Sequence, residues 1–521
     1  MEQLNQLNEL RTVYKAMGGA DAVAKQKAQK KLTARERIEL VFDKGSFLEF
    51  GMLADHSPNN RELEGRVTPG DGVVTGTGLI EGRPVVVISY DFTVLAGTMG
   101  EISERKTKRM REVAMKERIP LVWLLDSAGA RIQEAAGAQF AGTGDLFLEQ
   151  VSLSGQVPMV AAVVGPTAAG TSYIAALADY TPMRRGISSM ALAGPPLVKA
   201  AVGEDITTEE LGGSKVHCEK SGVGDGEFDS DEDLILNIRK YLSFFPSHCR
   251  QHPPVSRKIA GLKVEIDDSI LTVLPDSVRK AYDMRKVVEK ICDFGLNWKE
   301  GGFLEVQPDF ARNIITGFGR IMGHPIAIVA NQPSQMGGAI DNDASDKAAR
   351  FLMRANAFNI PVLFLHDCPG FLVGSRAEHA GIIRHGAKFL HVVASLTVPK
   401  FSVVIRKSYG AGYYVMCGKG LDPDLIVGWP TAEISLMGAE GAANIVMKNK
   451  DAAGGAGAVE AKAEKVKEFK AKIGGLQSAR LALIDDIIDP RETRAVLMRA
   501  LQFTSNKRPQ RNRRKHGIMP V

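Results

Sequence analysis

The sequence predicts an α/β protein built from two homologous halves, each a mainly parallel sheet with flanking helices. The first observation is an internal repeat. Residues 72–131 align with residues 313–372 at a constant offset of 241, without a gap and with 15 of 60 positions identical. The second observation is the order inside each copy, where apolar strands, Gly-containing loops and helices alternate. The period is far too long for a solenoid, so we interpret the repeat as one fold used twice.

Each copy begins with a predicted hairpin and a helix. Two runs rich in Val and Ile flank a Gly turn at residues 81–83, and again at residues 322–324. This pattern predicts a pair of antiparallel strands in each copy. A helix is predicted over residues 106–118 in the first copy and over residues 347–358 in the second.

A fully apolar strand follows, at residues 121–125 and 362–365. An apolar run without alternation indicates a strand covered on both faces, as in parallel sheets. Each run ends in an aspartate, Asp126 or Asp367, and then a Gly-containing loop. Ligands of such folds collect at the carboxyl ends of the strands, so these loops are candidate binding segments.

The repeat also predicts two domains. The sequence Gln251-His-Pro-Pro-Val255 breaks regular structure between the copies, and we predict domains at residues 1–260 and 261–521. An Ala-, Lys- and Glu-rich run at residues 452–472 is typical of an exposed helix.

The composition argues against several classes of protein. The five cysteines form no C-x-x-C pair, so neither a disulfide framework nor a zinc ribbon is expected, and no metal site is predicted. No signal peptide or membrane-spanning run is visible, which favours a cytoplasmic protein. Much of the net charge of +6 lies in residues 507–515. Because no aromatic residues are interleaved there, a solvated tail explains this segment better than nucleic-acid binding does.

Two later loops carry little side chain. Ala169-Gly170-Thr171 and Gly410-Ala411-Gly412 follow strands at corresponding places in the two copies. Backbone N–H groups at the start of a helix stabilise a developing oxyanion. Two such loops would suit a reaction in which two carbonyl oxygens gain negative charge. The alternative is that small residues only permit tight turns, and the residues alone do not separate the two interpretations.

Conventional catalytic motifs are missing: there is no G-x-S-x-G, no P-loop and no H-E-x-x-H. We interpret Asp126 and Asp367 as loop-organising residues that accept backbone N–H bonds rather than as catalytic groups. His366 is adjacent to Asp367 and is therefore expected to point to the opposite face. Lys116 superficially resembles a biotin-acceptor lysine, but it lies inside a predicted helix, which favours a structural role.

Longer motifs extend over most of the chain: Asp126-Ser-Ala-Gly-Ala-Arg-Ile-Gln-Glu134, Glu210-Leu-Gly-Gly213, Asn331-Gln-Pro333, Gly338-Ala-Ile-Asp-Asn342, Pro369-Gly-Phe-Leu372, Gly381-Ile-Ile-Arg-His-Gly-Ala-Lys388, Trp429-Pro-Thr-Ala-Glu-Ile434 and Asp489-Pro-Arg-Glu-Thr-Arg494. With these motifs the chain resembles the carboxyltransferase β subunits of propionyl-CoA and methylcrotonyl-CoA carboxylases. The resemblance covers roughly residues 30–521 and implies two crotonase-like domains. It also implies an enzyme that transfers a carboxyl group from carboxybiotin to the α-carbon of a short acyl-CoA, with propionyl-CoA or acetyl-CoA expected first.

The resemblance assigns roles to residues of this chain. It places one pair of oxyanion donors at Ala169 and Gly170 and the other at Ala411 and Gly412. One pair would hold the thioester enolate, and the other the ureido oxygen of biotin. No side-chain base is expected, because the freed ureido nitrogen takes the α-proton. The substrate-binding residues that the resemblance implies are Ala128, Gly129, Ala130, Arg131, Gly370, Phe371, Tyr413 and Tyr414.

The resemblance also implies partners and cofactors. The N-terminal half would bind the coenzyme A ester, and the C-terminal half would receive biotin carried by a partner. No biotin-carboxylase or biotin-carrier module is visible in the chain, so an α subunit would supply both. The halves that form one site would come from different subunits, which makes a dimer the minimum and a hexamer the usual assembly. Neither nucleic acid nor a membrane is an expected partner.

Departures from the family pattern bear on the substrate. Ala169-Gly170 and Gly194-Pro-Pro-Leu-Val-Lys-Ala200 resemble the methylcrotonyl type. In contrast, Gly381-Ile-Ile-Arg-His-Gly-Ala-Lys388 and Leu242-Ser-Phe-Phe-Pro246 resemble the propionyl type. Tyr414 stands where the family has an Asp linked to acyl selection. We predict that Tyr414 shortens the acyl pocket and favours small acyl groups.

Three alternatives stay open at this point. A biotin-dependent decarboxylase subunit of the glutaconyl-CoA kind would share these features and run the transfer towards biotin. A non-catalytic paralogue would act as an assembly scaffold, although the retained Gly170 and Gly412 argue against it. A polyanion-binding protein would use the basic tail, and salt-dependent nucleic-acid binding that is lost on deleting residues 507–521 would identify it.

Overall fold

The computed structural model describes residues 1–256, 267–277, 280–293, 302–451, 457–507 and 517–521. The chain divides into two compact parts, unit 1 (Met1–Gln251) and unit 2 (His252–Val521). The predicted domain limit after residue 260 lies outside the described residues, so that limit stays a prediction. Residues 508–516 of the predicted basic tail also lie outside them.

Unit 1 contains one mixed sheet, whose strands are β1 (Leu48–Phe50), β2 (Val73–Ile80), β3 (Arg83–Tyr90), β4 (Leu121–Ser127), β5 (Met159–Ala168), β6 (Pro182–Arg184), β7 (Ser189–Ala191) and β8 (Gly226–Phe228). The strand order is β1-β2-β3-β4-β5-β6-β8, and β7 pairs with β5. Strands β1 to β3 are antiparallel neighbours, and the pairs from β3 onwards are parallel.

The described part of unit 2 contains a second sheet, whose strands are β9 (Leu304–Val306), β10 (Ile314–Ile321), β11 (His324–Asn331), β12 (Val362–Cys368), β13 (Lys400–Tyr409), β14 (Leu425–Gly428), β15 (Glu433–Ser435) and β16 (Asp486–Ile487). The order is β9-β10-β11-β12-β13-β14-β16, and β15 pairs with β13. The first three strands are again antiparallel and the others parallel. The predicted α/β fold with two similar, mainly parallel sheets is therefore confirmed.

The repeat reaches the pairing of individual residues. Val86 lies opposite Leu121 in unit 1, and Ala327 lies opposite Val362 in unit 2, both residues 241 positions further along. The pairs β4–β5 and β12–β13 both shift register just before the strands end. The candidate loops leave each sheet just after this shift in register, so the shift is also part of the repeat. Strands β4 and β12 are buried along their whole length, which confirms the prediction that both faces are covered.

Helices flank both sheets: α1 (Glu2–Lys15), α2 (Ala20–Ala28), α3 (Ala34–Val41), α4 (Glu101–Glu117), α5 (Ile132–Ala135), α6 (Asp145–Leu153), α7 (Gly170–Ala176), α8 (Pro195–Val202), α9 (Thr208–Gly212) and α10 (Asp231–Phe244) in unit 1, then α11 (Arg285–Ile291), α12 (Asn342–Ala357), α13 (Ser375–His379), α14 (Ile382–Ser395), α15 (Gly410–Val415), α16 (Ala439–Asp451), α17 (Gly457–Ile473), α18 (Gly475–Arg480) and α19 (Thr493–Phe503) in unit 2. Within the described residues, no helix is both long and apolar enough to cross a membrane.

Helices α4 and α12 both begin earlier in the chain than predicted. Their first turns contain mostly polar residues and are capped, so the apolar pattern is weaker there than in the following turns. In α12 the side chain of Asp341 accepts the Ala344 amide at 2.9 Å, as an N-cap does. In α4 the Ser103 hydroxyl accepts the amide of Gly100 at 2.7 Å. The exposed helix predicted over residues 452–472 corresponds to α17, and residues 452–456 lie outside the described residues.

Candidate active site

The loop after β4 in unit 1 is fixed to the segment around Met99. The Met99 amide donates to the Gly129 carbonyl at 2.8 Å, and the Arg131 amide donates to the Met99 carbonyl at 2.9 Å. In such a parallel pairing the residue in between, here Ala130, directs its own N–H and C=O away from Met99. The Ala130 amide has no acceptor among the described residues.

Unit 2 repeats this arrangement after β12. The Ile340 amide donates to the Gly370 carbonyl at 3.0 Å, and the Leu372 amide donates to the Ile340 carbonyl at 2.8 Å. Phe371 is the residue in between, and no acceptor for its amide is found in the described part of the chain. The loops after β4 and β12 therefore each present one outward-facing amide.

The loop after β5 contains the predicted donors of unit 1. Ala169 has a positive φ of 53° and immediately precedes α7. Its amide donates to the Ala191 carbonyl at 3.0 Å. Gly170, the first residue of α7, has an amide without an acceptor among the described residues. Of the predicted pair, Gly170 therefore has the available amide hydrogen, whereas that of Ala169 is already bonded.

The corresponding loop of unit 2 begins α15. Gly410 has a positive φ of 56°, like Ala169 at the equivalent position. The predicted donors Ala411 and Gly412 follow it, and neither amide has an acceptor in the part of unit 2 that the structure describes. By the offset of 241, Ala411 corresponds to Gly170. The two predicted pairs are therefore displaced by one residue relative to the repeat.

Close packing brings the two loops of each unit together. A Cβ atom on Gly412 would lie 2.8 Å from Cys368 Sγ and 3.1 Å from Gly370 Cα. In unit 1, a Cβ on Gly129 would lie 3.0 Å from the Ala168 carbonyl oxygen. Glycine is needed at these contacts because any side chain would push the two loops apart. In each unit, the loop that presents the outward amide is thus packed against the segment in which the free amide begins a helix.

The predicted substrate-binding residues fall into exposed and buried positions. Ala128 and Ala130 are exposed, whereas Gly129, Gly370 and Arg131 are buried. The guanidinium group of Arg131 is only 3% exposed and forms ion pairs with its own unit. Any contact that Arg131 makes with a substrate must therefore come from its backbone.

The aromatic members of the predicted set lie around the unit 2 loops. The Phe371 ring is so close to Gly386 that a Cβ there would lie 3.0 Å from it. The Tyr413 hydroxyl accepts the Lys419 amide at 2.9 Å, which holds its ring against the chain. Tyr414 is 52% exposed, and its ring meets that of Tyr413 edge-on at 5.8 Å.

The two aspartates at the strand ends differ in their partners: Asp126 binds cations, whereas Asp367 binds a cation and also a backbone amide, as predicted. Asp126 is fully buried, and its carboxylate binds Lys31 at 2.7 Å and Arg37 at 3.0 Å. The prediction that Asp126 accepts backbone amides is wrong, because the N-terminal segment and α3 bring two cations to it. Asp367 pairs with Arg406 at 2.8 Å and also accepts the Lys407 amide at 3.4 Å.

Two further predictions concern single side chains. His366 is buried, with Nδ1 2.9 Å from the Ser408 hydroxyl, and burial lowers the pKa of His366 to about 3. It is therefore neutral at physiological pH and does not act as an acid. Lys116 lies on α4, as predicted, and is exposed beside Glu112.

The sequence analysis missed the segments that hold these loops, around Met99 and Ile340. One signal was available in the sequence, because the two copies have a glycine at equivalent positions, Gly97 and Gly338. A Cβ on Gly97 would lie 2.4 Å from the Asp126 carbonyl oxygen, and the same distance separates a Cβ on Gly338 from that of Asp367. Both glycines therefore mark the close approach of a neighbouring loop.

Comparisons with known proteins identify the family. Residues 25–519 match the family model described as the carboxyl transferase domain. The chain is 40% identical to the methylmalonyl-CoA decarboxylase subunit alpha of Veillonella parvula, over 100% of this chain and 99% of that protein. It is 41% identical to the propionyl-CoA carboxylase beta chain of Cereibacter sphaeroides, over 99% of each. The crystal structure of transcarboxylase 12S with hydrolysed methylmalonyl-coenzyme A bound superimposes with a TM-score of 0.93 at 40% identity, covering 99% of this chain and 98% of that one. This chain therefore belongs to the carboxyl transferase domain family and is a carboxyltransferase.

Proposed function

We propose that this chain is the carboxyltransferase subunit of a biotin-dependent acyl-CoA carboxylase. It transfers a carboxyl group from carboxybiotin, carried by a partner α subunit, to the α-carbon of a short acyl-CoA. Propionyl-CoA is the first substrate to test and acetyl-CoA the second, because the relatives include a propionyl-CoA carboxylase beta chain. The observation that carries this proposal is the repeated free amide at the start of a helix, at Gly170 and at Ala411.

In unit 1 the amides of Gly170 and Ala130 are the proposed pair for the thioester oxygen. This replaces Ala169 as a donor, because its hydrogen is bonded to Ala191. The packing of Gly129 against Ala168 supports the pairing, since it brings the two loops together. Two amides fixed by backbone hydrogen bonds need no reorganisation when an enolate forms, and each donor contributes roughly 3–4 kcal/mol to the barrier reduction.

In unit 2 the amides of Ala411 and Gly412, with that of Phe371 beside them, are the proposed site for the ureido oxygen of biotin. The fit rests on chemistry: that oxygen is a hydrogen-bond acceptor, and these amides have no acceptor among the described residues. Bound carboxybiotin supplies CO2 and a ureido nitrogen that takes the α-proton. The chain itself orients the CoA ester, stabilises negative charge and excludes water.

The direction of transfer has a second candidate. The relative from Veillonella parvula is named as a methylmalonyl-CoA decarboxylase subunit, so this chain is also a candidate for transfer from a carboxylated CoA ester to biotin. The loops serve either direction, because both pass through the same enolate. Identification of the biotinylated partner that co-purifies with the chain, and of that partner's other subunits, separates the two.

Exposed apolar side chains support assembly with a second copy. Ile132 and Val373 occupy equivalent repeat positions beside the loops and are 75% and 88% exposed. Tyr173 and Tyr414 form a second equivalent pair. We expect unit 1 of one copy to face unit 2 of another, as a dimer or as a hexamer like that described for transcarboxylase 12S. Val373→Asp should dissociate the assembly in analytical ultracentrifugation, whereas Leu10→Asp, on an exposed site of α1, should not.

Acyl selectivity is assigned to Tyr414, which projects beside the α15 loop. Tyr414→Ala should raise the turnover of the branched methylcrotonyl-CoA relative to propionyl-CoA. A clear preference of the unaltered chain for the branched ester would contradict this assignment.

Proline substitution tests the free amides directly. Gly170→Pro removes the amide hydrogen at the first position of α7, where proline is compatible with a helix. We expect carboxyl transfer from methylmalonyl-CoA to biotin to fall by about 100- to 1,000-fold, the usual cost of losing one oxyanion donor. Ala20→Pro, at the exposed first position of α2, is the matched control. Full activity of folded Gly170→Pro would refute the proposed site.

A further inference from the structure

A buried ion network lies directly under the Ala130 loop of unit 1. Its centre is the guanidinium of Arg131, whose three nitrogens are all engaged. Nη1 lies 2.7 Å from the Asp71 carboxylate and 2.8 Å from that of Glu134. Nη2 and Nε donate to the carbonyl and the hydroxyl of Thr98, at 3.2 and 3.3 Å. The side chain therefore joins its own loop to two other segments of unit 1, around Asp71 and Thr98.

Asp71 holds the first of these segments in place. It is fully buried, in the left-handed region at φ 53°, and its second carboxylate oxygen accepts the Ser103 amide at 2.7 Å. Lys106 fixes the same turn, because its ammonium group donates to the carbonyls of Gly70 and Val73. The carboxylate thus has little freedom to move away from Arg131.

Glu134 holds the second anionic position. Its carboxylate accepts the Glu101 amide at 2.7 Å, which caps the start of α4, and accepts the Asn60 side-chain amide at 2.8 Å. Burial raises the pKa of Glu134, but the hydrogen bonds from Asn60 and Arg131 outweigh it and lower the pKa below its ordinary value. Glu134 therefore stays ionised near neutral pH.

The network acts on the residue next to Arg131. The Arg131 side chain binds Thr98, and its own amide binds Met99. Ala130 lies between this anchor and the Gly129–Met99 hydrogen bond. The hydrogen bonds of the residues on both sides of Ala130 therefore fix the direction in which its amide points.

The described part of unit 2 does not repeat this network at the equivalent positions. By the offset of 241, the positions of Asp71, Arg131 and Glu134 are taken by Arg312, Leu372 and Ser375. The two units hold the same loop by the same backbone bonds, but among the described residues the ion network around Arg131 is found in unit 1. A requirement of the general fold would be expected in both.

We propose that Asp71, Arg131 and Glu134 form a positioning clasp that holds the Ala130 amide in line with the amide of Gly170. Arg131 is then a positioning residue and does not bind the CoA ester through its side chain. The inference rests on the proposed function, since it concerns the same oxyanion site.

The test measures kcat and the KM for methylmalonyl-CoA separately, in carboxyl transfer to biotin, for Arg131→Met and Arg131→Lys. A misplaced donor lowers transition-state stabilisation more than substrate binding, so kcat of Arg131→Met should fall by about 100-fold with KM nearly unchanged. Arg131→Lys keeps one ion pair but not the bonds to Thr98, so its kcat should lie in between. Glu134→Gln keeps the shape and loses the charge. Glu134→Gln should also lower kcat. If Arg131→Met does not fold, Glu134→Gln still tests whether the network positions the Ala130 amide.

The control is Arg109→Met, which removes an exposed arginine of α4 and should leave both constants unchanged. A rise in KM at unchanged kcat would show that Arg131 binds the CoA ester and would overturn the clasp. Unchanged kcat in Arg131→Met and Glu134→Gln would overturn it as well. Absence of carboxyl transfer by the unaltered chain would instead contradict the proposed function.

Discussion

Replacing Gly412 by alanine tests how closely the two loops of unit 2 must approach. The new Cβ would lie 2.8 Å from Cys368 Sγ and 3.1 Å from Gly370 Cα. Favourable contacts between such atoms lie at about 3.5–4.0 Å, so the loops must separate by roughly 1 Å. Overpacking of this kind costs about 1–3 kcal/mol of stability. A displacement of about 1 Å at a catalytic group costs up to about 100-fold in rate.

Gly170→Ala is the matched comparison for Gly412→Ala, because it makes the same change at a loop with room. Its Cβ would lie 3.6 Å from Phe147 Cζ, an ordinary contact. In urea unfolding, the free energy of unfolding should fall for Gly412→Ala and stay unchanged for Gly170→Ala. The transfer rate from methylmalonyl-CoA to biotin should fall by about 100-fold for Gly412→Ala and little for Gly170→Ala. Equal effects of the two substitutions, or none from Gly412→Ala, would refute the argument from close approach.

Three further predictions concern buried charges. Arg37→Met leaves Asp126 and Asp231 without their shared cation, so urea unfolding should show a loss of about 3–5 kcal/mol, and an unchanged midpoint would contradict this. Burial lowers the pKa of Lys347 to about 7 from the ordinary 10.5. The unfolded chain therefore binds more protons between those values, and the free energy of unfolding should rise with pH across that window. Lys347→Met should lose this part of the slope, and an identical pH dependence would contradict the assignment. Gly165→Ala would place a Cβ 1.9 Å from the Asp126 carboxylate, so we expect little folded protein in size-exclusion chromatography, and a normal yield would contradict the packing.

The repeated features of the fold were predictable because local patterns encode them. The apolar runs that form β4 and β12 can be recognised from their own sequences alone. The constant offset of 241 then shows that the loops after them occupy equivalent positions in the two copies. The two copies have a lysine at equivalent positions, Lys106 and Lys347, but the sequence did not show what the two ammonium groups bind. Each ammonium group binds main-chain carbonyls in the segment that leads into the hairpin, at Gly70 and Val73 in unit 1 and at Phe310 and Ile314 in unit 2.

The partners of buried charges were not predictable, because they lie far apart in the sequence. Asp126 meets Lys31 across 95 residues, and no periodic pattern joins the two. Arg131 was expected to bind substrate because the family resemblance implied that role, and its position in a loop gives no sign of where its side chain points. The bond between the amide of Ala169 and Ala191 was equally hidden, because it depends on how β7 pairs with β5. Sequence patterns therefore located the loops, but not which amide in them is free.

In the proposed function, each unit contributes one set of free amides, and a complete site combines unit 1 of one copy with unit 2 of another. Gly170→Pro and Ala411→Pro each remove one free amide from a set, at equivalent positions of the repeat. Each variant alone should lose about 100- to 1,000-fold in transfer rate. Copies mixed in equal amounts and co-assembled should regain about a quarter of the normal rate, because a mixed pair contains one site with both sets intact. No recovery in mixed oligomers that are shown to contain both variants would contradict the claim.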